Sequence, residues 1–453
     1  MYLMVEKGTR GGVSMVSKRL ATANNPLVAG FNSNEKTSYI QYYDANNLYA
    51  WAMSQKLPTG NFKFVYDVTK VDLTKQGMIL EVDLEYPDKL HDEHNEYPLA
   101  PERMKVEKEW LSEYQLKLLG KTSLNIPKLV PNLQNKVKYV LHYKNLQNYI
   151  AKCMKLTKIH RAISFDESTW LKPYIEMNTE LRKLATSDFD KNVYKLMNNA
   201  VFGKTMENLR KRVDVQIVRS SENIKIRKLL KKPNFANQKI FDHNLAALHM
   251  HKSKLLLNRP AYVGMCILDL SKLVMYDFYY DVLKKKYGDT CKLLYTDTDS
   301  LLLEIFTDDV YKDMEEQSEF YDTVNYPKDH FLYSVKNKKI PGKMKDECAG
   351  EPIREYIGLR PKMYSIVKES GVNERKLKGV KRYVVQKHIT HEQYRQVLDD
   401  RQTMKHGMNM LRSEGHIMYG IHMDKISLSP LDTKRWIADD GVNTLAYGHY
   451  ATR

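Results

Sequence analysis

Two aspartates, Asp297 and Asp299, stand two positions apart in the sequence YTDTDS, which occupies residues 295–300. The apolar runs on either side, KLLY before the aspartates and LLLEI after them, are typical of strands. Both carboxylates are therefore expected on the tight turn of a strand–turn–strand unit. Mg²⁺ binds oxygen ligands and keeps several waters, so paired carboxylates on a rigid turn suit one half of a metal site. An ordinary hairpin turn also favours Asp and Thr, and a second acidic element is needed to decide.

Asp44 provides that second element. It ends the aromatic run 39–43, which is typical of a buried strand, and the aromatic residue Tyr49 follows five positions later. Taken alone, an aspartate in this position is more often a helix N-cap than a metal ligand. Carboxylates from separate strands can, however, converge on two metal ions about 3.5 to 4 Å apart, which activate an attacking hydroxyl and stabilise a leaving phosphate. The three aspartates together predict nucleotidyl transfer.

A basic helical run at residues 191–204 provides a third element. Three of its side chains recur at intervals of four and share one helix face: Lys191, Lys195 and Asn199. Arg182 and Lys183 precede this run, near its N-terminal end, where the helix dipole favours anions. A solvated basic face is the alternative, but it leaves Asn198 and the helix-interior Gly203 unexplained. The pattern predicts a triphosphate site, with a base or a template strand close to Gly203.

Local patterns also predict the elements around these residues. Helical periodicity covers 166–186 and 187–208, and the sequence SDFD at 187–190 has the spacing of a capping box, so two helices should meet near Ser187 as a hairpin. The alternating run 213–218 predicts a short β-hairpin. A further helix is expected at 271–287, directly before the acidic turn.

Composition and charge limit the class of protein. The chain has 453 residues, more than one hydrophobic core normally supports, and its 72 Lys and Arg against 55 Asp and Glu give a net charge of +17. This excess suits a nucleic-acid partner, although a generally basic soluble protein fits composition equally well. The four cysteines form no CxxC pair, which argues against a disulfide framework and a zinc ribbon. No signal pattern or membrane-length apolar run is present, so we expect a soluble intracellular protein, in either nucleus or cytoplasm.

In their order along the chain, these strings resemble the polymerase motifs of family B DNA polymerases. The first string, DANNLY at 44–49, resembles the family's D-x-x-S-L-Y, and the second, KLMNNAVFG at 195–203, resembles K-x-x-x-N-S-x-Y-G. The third, YTDTDS at 295–300, matches Y-x-D-T-D-S. The fourth, KMY at 362–364, matches K-x-Y. The string TRGG at 9–12 resembles the Y-x-G-G element that joins the exonuclease domain to the polymerase domain. The chain is therefore expected to begin at that junction, without the exonuclease.

The resemblance implies an α/β (α+β) right-hand polymerase with palm, fingers and thumb plus two insertions. Long segments after residues 57 and 208 are similar to the insertions of the protein-primed branch, which includes phages, adenoviruses, linear plasmids and Polinton elements. The expected units are a first palm segment at 1–61, a first insertion like the terminal-protein region at 62–155, fingers at 156–205, a second insertion with a β-hairpin at 206–245, the main palm segment at 246–392 and a thumb at 393–453.

The resemblance also assigns roles to residues of this chain. Asp44 and Asp299 would bind two Mg²⁺ ions, with Mn²⁺ as an alternative, and Asp297 would support them. Tyr49 would exclude a ribose 2′-hydroxyl. The triphosphate would be held by Lys195 and Lys191 with Arg182 or Lys183, and the base-pair pocket would be lined by Asn199 and Phe202. The primer and template contacts would be Gly11, Gly12, Gly203, Thr298, Ser300, Lys362 and Tyr364. Asn47, Ala200 and Phe202 depart from the family pattern, but none is a metal ligand.

The expected partners are primer-template DNA, deoxynucleoside triphosphates and a terminal primer protein, with no membrane. The activity would be DNA-directed DNA polymerisation in the replication of a virus or mobile element. An inactive remnant or fragment that binds only DNA or a primer protein is the alternative, and the intact aspartates and Lys195 argue against it. A reverse transcriptase would carry Y-x-D-D in place of YTDTDS, which favours a DNA polymerase.

Two further strings could suggest other metal sites. Asp83-Leu84-Glu85 has the D-x-E shape of an exonuclease motif, but it follows the first polymerase motif, so we interpret it as part of a half-buried strand. His91, Asp92 and His94 lie in a polar stretch without matching ligands, so we expect a solvated loop there.

Overall fold

The computed structural model describes residues 1–452, and its largest element is a ten-stranded central sheet. Seven strands follow one another across it in the order Ser14–Val16, Cys291–Asp297, Ser300–Phe306, Ser38–Ala45, Ile353–Arg360, Met363–Lys368 and Asn373–Leu377. The other three are Leu20–Thr22, Tyr321–Asp322 and Met344–Asp346. The strand Ser38–Ala45 is rich in tyrosine and almost wholly buried, as suits aromatic side chains on a pleated surface.

One long helix packs behind this sheet. It runs over Ala261–Asp277 and continues through a π-helical turn, Phe278–Lys284, into Lys285–Tyr287. The helix predicted at 271–287 therefore begins at Ala261. Its first part is buried almost all round, so its apolar residues lack a helical period and the sequence there resembles a strand.

The helices Lys172–Leu184 and Asp188–Thr205 form the expected hairpin, which we name the fingers hairpin. The Ser187 hydroxyl accepts a hydrogen bond from the backbone N–H of Asp190 at 3.0 Å, so the second helix begins where the capping pattern predicts. The first helix begins later than the predicted residue 166, because residues up to Ser168 belong to a strand of the neighbouring sheet.

The segment expected as the first insertion, 62–155, contributes to a four-stranded antiparallel sheet whose strands extend beyond those bounds, and we use the name first insertion for this whole sheet and its attached elements. Its strands lie in the order Leu57–Val65, Lys155–Ser168, Gly77–Glu85 and Lys136–His142. A small pair, Glu102–Met104 with Lys128–Val130, and the helices His91–His94, Glu113–Leu119 and Tyr143–Ala151 complete it. Asp83 accepts a hydrogen bond from the backbone N–H of Lys138 at 2.7 Å, and Glu85 pairs with Lys155, so both acids of the D-x-E string serve a strand, as interpreted.

The expectation of a solvated loop around His91 and His94 is wrong. Both imidazoles lie in a short helix and are almost fully buried, with 0% and 1% of their surface exposed. The His94 Nδ1 shares a hydrogen bond of 2.9 Å with the hydroxyl of Tyr86, and burial lowers the pKa of His94 to about 4. The sequence did not indicate this, because the aromatic residues that cover the ring, Tyr86 and Tyr280, come from other elements.

The segment expected as the second insertion, 206–245, forms a three-stranded sheet with one helix together with the strand Leu245–Met250, and we use the name second insertion for this sheet and helix. The strand Asp214–Arg219 pairs with Leu245–Met250, which also pairs with Phe235–Asp242, and the helix Asn223–Leu230 lies between the first and second strands in sequence. The hairpin predicted at 213–218 is therefore wrong, because this run forms only one strand. Its partner follows the helix, and a local alternation pattern cannot indicate such a distant pairing.

The helices Arg382–His388 and His391–Asp400 precede a long hairpin, Met404–Glu414 with Ile417–Leu428, which we name the thumb hairpin. At its tip, the His416 Nε2 lies 2.5 Å from the His249 Nε2 of the second insertion. The remaining α-helices are Tyr2–Gly8, Leu48–Met53 and Val310–Glu316, and the remaining strand pair is Trp436–Ile437 with Thr444–Leu445. Within residues 1–452, no helix combines the length and the apolar character that crossing a membrane requires.

Two fully buried arginines connect distant parts of the chain. Arg19 donates to the carbonyls of Pro430 and Gly441 at 2.6 and 2.7 Å. Arg435 donates to the carbonyl of Asn95 at 2.8 Å and to the hydroxyl of Thr444 at 2.7 Å. Burial lowers the pKa of Arg435 to about 10. The segment after the thumb hairpin is therefore attached to the first insertion and the central sheet.

Replacing Arg435 with Met should lower the free energy of unfolding by about 3 kcal/mol or more, because several buried acceptors would lose their donor. The measurement is urea denaturation followed by circular dichroism. Arg412→Met, at an exposed position of the thumb hairpin, is the matched control and should change stability by less than ~0.5 kcal/mol. Equal stability of the two variants would contradict this role of Arg435.

Candidate active site

The motif residues from distant parts of the chain line one cleft of about 380 Å³ on the central sheet. Its walls include the three aspartates that the sequence predicted, Asp44, Asp297 and Asp299, together with Ser300, Lys362 and Tyr364. Lys376 and Lys378 also line the cleft, although no motif indicated them. They come from the strand that follows the K-x-Y string and from the residue after it.

Strand pairing sets the positions of the acids. Ser38–Ala45 and Ser300–Phe306 are neighbours, with Asp44 opposite Ser300, and the backbone N–H of Ala45 donates to the carbonyl of Asp299 at 2.6 Å. Thr298, between the other two aspartates, has a φ of 67°, which makes the turn tight enough for the N–H of Asp299 to reach the carbonyl of Asp297 at 2.8 Å. The carboxylates of Asp44 and Asp299 are thereby held next to each other.

The negative charges of the three aspartates lie close together in the cleft. The pKa of Asp44 is raised to about 7, first by burial and then by repulsion from Asp299 and Glu347. Burial raises the pKa of Asp299 as well, and repulsion from Asp297 adds to the effect. The charge of Lys195 opposes both shifts, so the fingers hairpin contributes a cation to the acids.

Asp297 differs from the other two acids because it has a lysine of its own. The Lys362 Nζ lies 2.6 and 2.5 Å from the two carboxylate oxygens of Asp297. Lys362 has a φ of 64° and follows Pro361. This arrangement is typical of a type II turn, in which proline is common at the first central residue and glycine is favoured at the second central residue, here Lys362. A strained lysine in this turn therefore holds Asp297 and leaves Asp44 and Asp299 as the closely opposed pair.

The donor set fits a hard divalent cation. Among the described residues, no group of three or more His, Cys, Asp or Glu side chains is arranged to hold a metal with protein ligands alone. Mg²⁺ commonly binds one or two carboxylates and completes its shell with substrate phosphates and water. Asp44 and Asp299 match that pattern, because a cation between them would offset the burial that raises the pKa of both and the repulsion from Asp299 that adds to the shift of Asp44.

Gly12 packs directly against the acidic turn. A Cβ atom at this position would lie 2.2 Å from the Thr298 Oγ1 and 2.6 Å from the Thr298 Cβ. The N–H of Thr298 also donates to the carbonyl of Val13 at 2.6 Å, and Ser14 pairs with Asp297 in the sheet. Glycine is thus required at residue 12 by the protein itself, whereas a Cβ at Gly11 would meet no atom.

Tyr49 and Phe202 form a stacked pair, with ring centroids 4.4 Å apart and an interplanar angle of 28°. Burial raises the pKa of Tyr49 to about 12, and the charges of Asp299 and Asp297 add to the effect, so the phenol faces the acids. Asn47 begins the helix that carries Tyr49 and has a φ of 39°, a left-handed conformation that Asn adopts more readily than Ser. The left-handed backbone at position 47 therefore explains why Asn stands there in place of the Ser of the family pattern.

The basic residues of the fingers hairpin differ in their partners. Lys183 pairs with Glu180 and Lys191 with Asp188, at 2.8 and 3.1 Å. Within the part of the chain that the structure describes, the Arg182 Nε is buried without a hydrogen-bond partner, and burial lowers the pKa of this guanidinium. Of the two alternatives, Arg182 and Lys183, the arginine therefore has the unmet need for an anion.

The predicted contact residues Asn199, Gly203 and Tyr364 have different surroundings. Asn199 is half-buried, and a Cβ at Gly203 would meet no protein atom, so the protein alone does not require glycine there. Tyr364 is only 3% exposed, and its hydroxyl lies 2.9 Å from that of Tyr42. Its ring forms part of the cleft wall, and contact of these three residues with DNA stays a prediction.

Replacing Gly12 with Ala should lower the free energy of unfolding by about 1 to 3 kcal/mol, because the new methyl group overlaps Thr298. The test is a double-mutant cycle in urea denaturation. The variant that combines Gly12→Ala with Thr298→Gly should be as stable as Thr298→Gly alone, because the overlapping atoms are then absent. Additive losses in the double variant would show that another contact of Gly12 is responsible.

An alanine variant is usually more stable than a glycine variant at the same position, but at position 362 we expect the glycine variant to be the more stable one. At the Lys362 φ of 64°, we expect Lys362→Ala to be ~1 kcal/mol less stable than Lys362→Gly, because both variants lose the ion pair but only alanine keeps the strain. At Lys376, inside a strand, the order should be the ordinary one, with alanine the more stable. Urea denaturation of the four variants measures both differences, and the same order at both sites would exclude strain at Lys362.

The comparisons with known proteins agree with this geometry. The family described as DNA polymerase type B, organellar and viral, matches residues 28–284. No curated protein sequence gives a significant match. Among solved structures, Phi29 DNA polymerase with primer-template DNA and incoming nucleotide substrates is similar with a TM-score of 0.54 at 15% identity, over 94% of this chain and 62% of that chain. The same polymerase with primer-template DNA alone gives 0.52 at 14% identity, with the same coverage.

The predicted right-hand fold is confirmed by these structural similarities. The chain spans 62% of the length of the Phi29 polymerase chain that it resembles. The family match covers more than half of the present chain and includes the first two polymerase motifs. By its sequence, this chain belongs to the family of organellar and viral type B DNA polymerases.

Proposed function

We propose that this chain is a template-directed DNA polymerase that adds deoxynucleotides to a primer 3′-hydroxyl. The observation that carries the proposal is the cross-strand pairing that holds Asp44 and Asp299 side by side. Lys195 and Tyr49 face the same acids from the fingers hairpin and the adjoining helix. This combination of an acid pair, a nearby lysine and a stacked aromatic pair suits a nucleotide. Its phosphates would bind metal ions at the acids, and its sugar would pack against the aromatic ring.

The substrates that we propose are primer-template DNA and deoxynucleoside triphosphates. The similar Phi29 polymerase structures contain primer-template DNA and, in one case, incoming nucleotide substrates. The net charge of +17 also suits a polyanionic partner. Protein-primed replication, with a terminal primer protein as partner and a virus or mobile element as the origin, is part of the proposal, as are the six units with the boundaries expected above.

Asp44 and Asp299 are the residues that would hold the two Mg²⁺ ions, or Mn²⁺ in their place. When bound, such ions supply activation of the attacking hydroxyl and stabilisation of the leaving phosphate. Asp297 supports the pair from its ion pair with Lys362, which keeps the acidic turn in a fixed orientation. The partial burial of the acids strengthens their interaction with cations, because the local dielectric is lower than in bulk water.

The other residues bind and orient the substrates. Tyr49, whose ring is fixed by Phe202, blocks the space of a ribose 2′-hydroxyl, and Asn199 lines the same pocket. Lys195, Lys191 and Arg182 neutralise the triphosphate. Gly11, Gly12, Gly203, Thr298, Ser300, Lys362 and Tyr364 contact the primer and template.

Primer extension on a labelled primer-template with Mg²⁺ tests the proposal. Asp299→Asn should reduce the extension rate on the order of 1,000-fold, because the loss of a metal ligand removes several kcal/mol of transition-state stabilisation. Asp281→Asn is the matched control, since this exposed acid pairs with Lys152 at 2.9 Å, and it should extend at the wild-type rate.

If no primer extension is observed, DNA binding by the same proteins shows how that result is to be understood. If the wild type binds the primer-template but never extends it with Mg²⁺ or Mn²⁺, the polymerase proposal fails. The alternative of a remnant or fragment that only binds DNA or a primer protein then holds. Equal extension by the wild type and Asp299→Asn would also contradict the assigned acid pair.

A further inference from the structure

A loop outside the polymerase motifs, residues 337–343, is attached to the chain segment that follows Asp44. The backbone N–H of Asn46 donates to the carbonyl of Lys343, and the N–H of Gly342 donates to the carbonyl of Asn46, both at 2.8 Å. A Cβ at Gly342 would lie 2.6 Å from the Trp51 Cδ1, so the loop also packs against the helix that carries Tyr49. The loop is therefore fixed to the segment that follows Asp44 and to the helix that carries Tyr49.

Asp322 fixes the position of Lys339 within this loop. Its carboxylate is 2% exposed and accepts hydrogen bonds from the Asn46 Nδ2 at 2.6 Å and from the backbone N–H of Lys339 at 2.8 Å. Lys339 has a φ of 55°, a left-handed conformation that a lysine adopts only when its surroundings impose it. Asn337, also buried, donates to the carbonyl of Tyr321 at 2.8 Å and holds the start of the loop.

The charges that act on the side chain of Lys339 are mostly positive, and two of them, Arg182 and Lys191, belong to the fingers hairpin. Burial lowers the pKa of Lys339, and repulsion from Arg182, Lys338 and Lys191 lowers it further. Asp322 opposes that shift, but both of its oxygens already accept hydrogen bonds. Among the described residues, the ammonium of Lys339 has no carboxylate partner within ion-pair distance.

Within this group Lys191 pairs with Asp188, but a close group of three cations is costly without a further anion. Arg182 and Lys191 come from the two helices of the fingers hairpin, whereas Lys339 comes from a loop of the central sheet, so the group lies between the two units. The Arg182 Nε, buried and without a partner, points to the same need for an acceptor. A group with several negative charges and many oxygen acceptors, such as a polyphosphate, satisfies both requirements.

We propose that Lys339 is a triphosphate-binding residue contributed by the central sheet opposite the fingers hairpin. This inference rests on the proposed function and deepens it, since it names a ligand of the nucleoside triphosphate that no motif indicates. Because its backbone is fixed by Asp322 and Asn46, Lys339 occupies its position before the nucleotide arrives. A solvated lysine of a surface loop would need neither the buried anchor nor the strained backbone.

The test is equilibrium binding of inorganic triphosphate to the full chain without DNA, measured by calorimetry. Lys339→Gln should weaken binding about tenfold or more, because a charge-assisted contact is lost. Lys339→Arg should keep most of the affinity. Lys336→Gln, at an exposed position of the preceding residues, is the matched control and should bind like the wild type. Lys339→Gly, which relieves the backbone strain, should fold at least as well as the wild type and still bind weakly.

Arg182→Gln distinguishes failure of this inference from failure of the proposed triphosphate site. Weak binding by Arg182→Gln together with normal binding by Lys339→Gln would overturn the role of Lys339 and leave the site in the fingers hairpin. Normal binding by both variants would overturn both proposals. Loss of affinity in Lys339→Gln, with wild-type affinity in Lys336→Gln, supports the inference even if the chain extends no primer.

Discussion

The pairing of the strands Ser38–Ala45 and Ser300–Phe306 is the interaction on which the site depends. It places Asp44 opposite Ser300 and joins Ala45 to Asp299 through one backbone hydrogen bond. A shift of one residue in this register would turn Asp44 to the other face of the sheet. The buried tyrosines and leucines of the two strands, such as Tyr43, Leu301 and Leu303, fix the register because they belong to one hydrophobic core.

That core also explains why the acids can remain so close together. It contains residues of the central sheet, the long helix and the first insertion, among them Tyr276 and Leu80. The burial of this large apolar core therefore offsets the energetic cost of placing two half-buried carboxylates side by side. Strain is concentrated near the same point, at Thr298 and Lys362, as is common where a protein holds side chains for chemistry.

Much of this site could be predicted from the sequence because its features are local. The turn around Asp297 and Asp299 and the cap at Ser187 are each specified by a few neighbouring residues. The start of the long helix could not be predicted, because a helix buried on all sides has no amphipathic period. The burial of His94 depends on the distant Tyr280, and the requirement for Gly12 depends on Thr298, more than 280 residues away. The position of Lys339 depends on a hydrogen bond from its backbone N–H to the side chain of Asp322, a pairing that no local pattern indicates.

The buried arginines bear on how such a chain folds during its synthesis. Arg19 finds its acceptors at Pro430 and Gly441, and the Lys434 Nζ donates to the carbonyl of Ser14, whose strand borders Asp297. The edge of the sheet beside the acids therefore lacks its support until the ribosome has passed residue 441. The strand Cys291–Asp297 is complete at residue 297, and synthesis from there to residue 441 at about 5 to 20 residues per second takes roughly 7 to 30 s. During this interval, the nascent chain has an incomplete sheet edge, which makes it a natural client for chaperones.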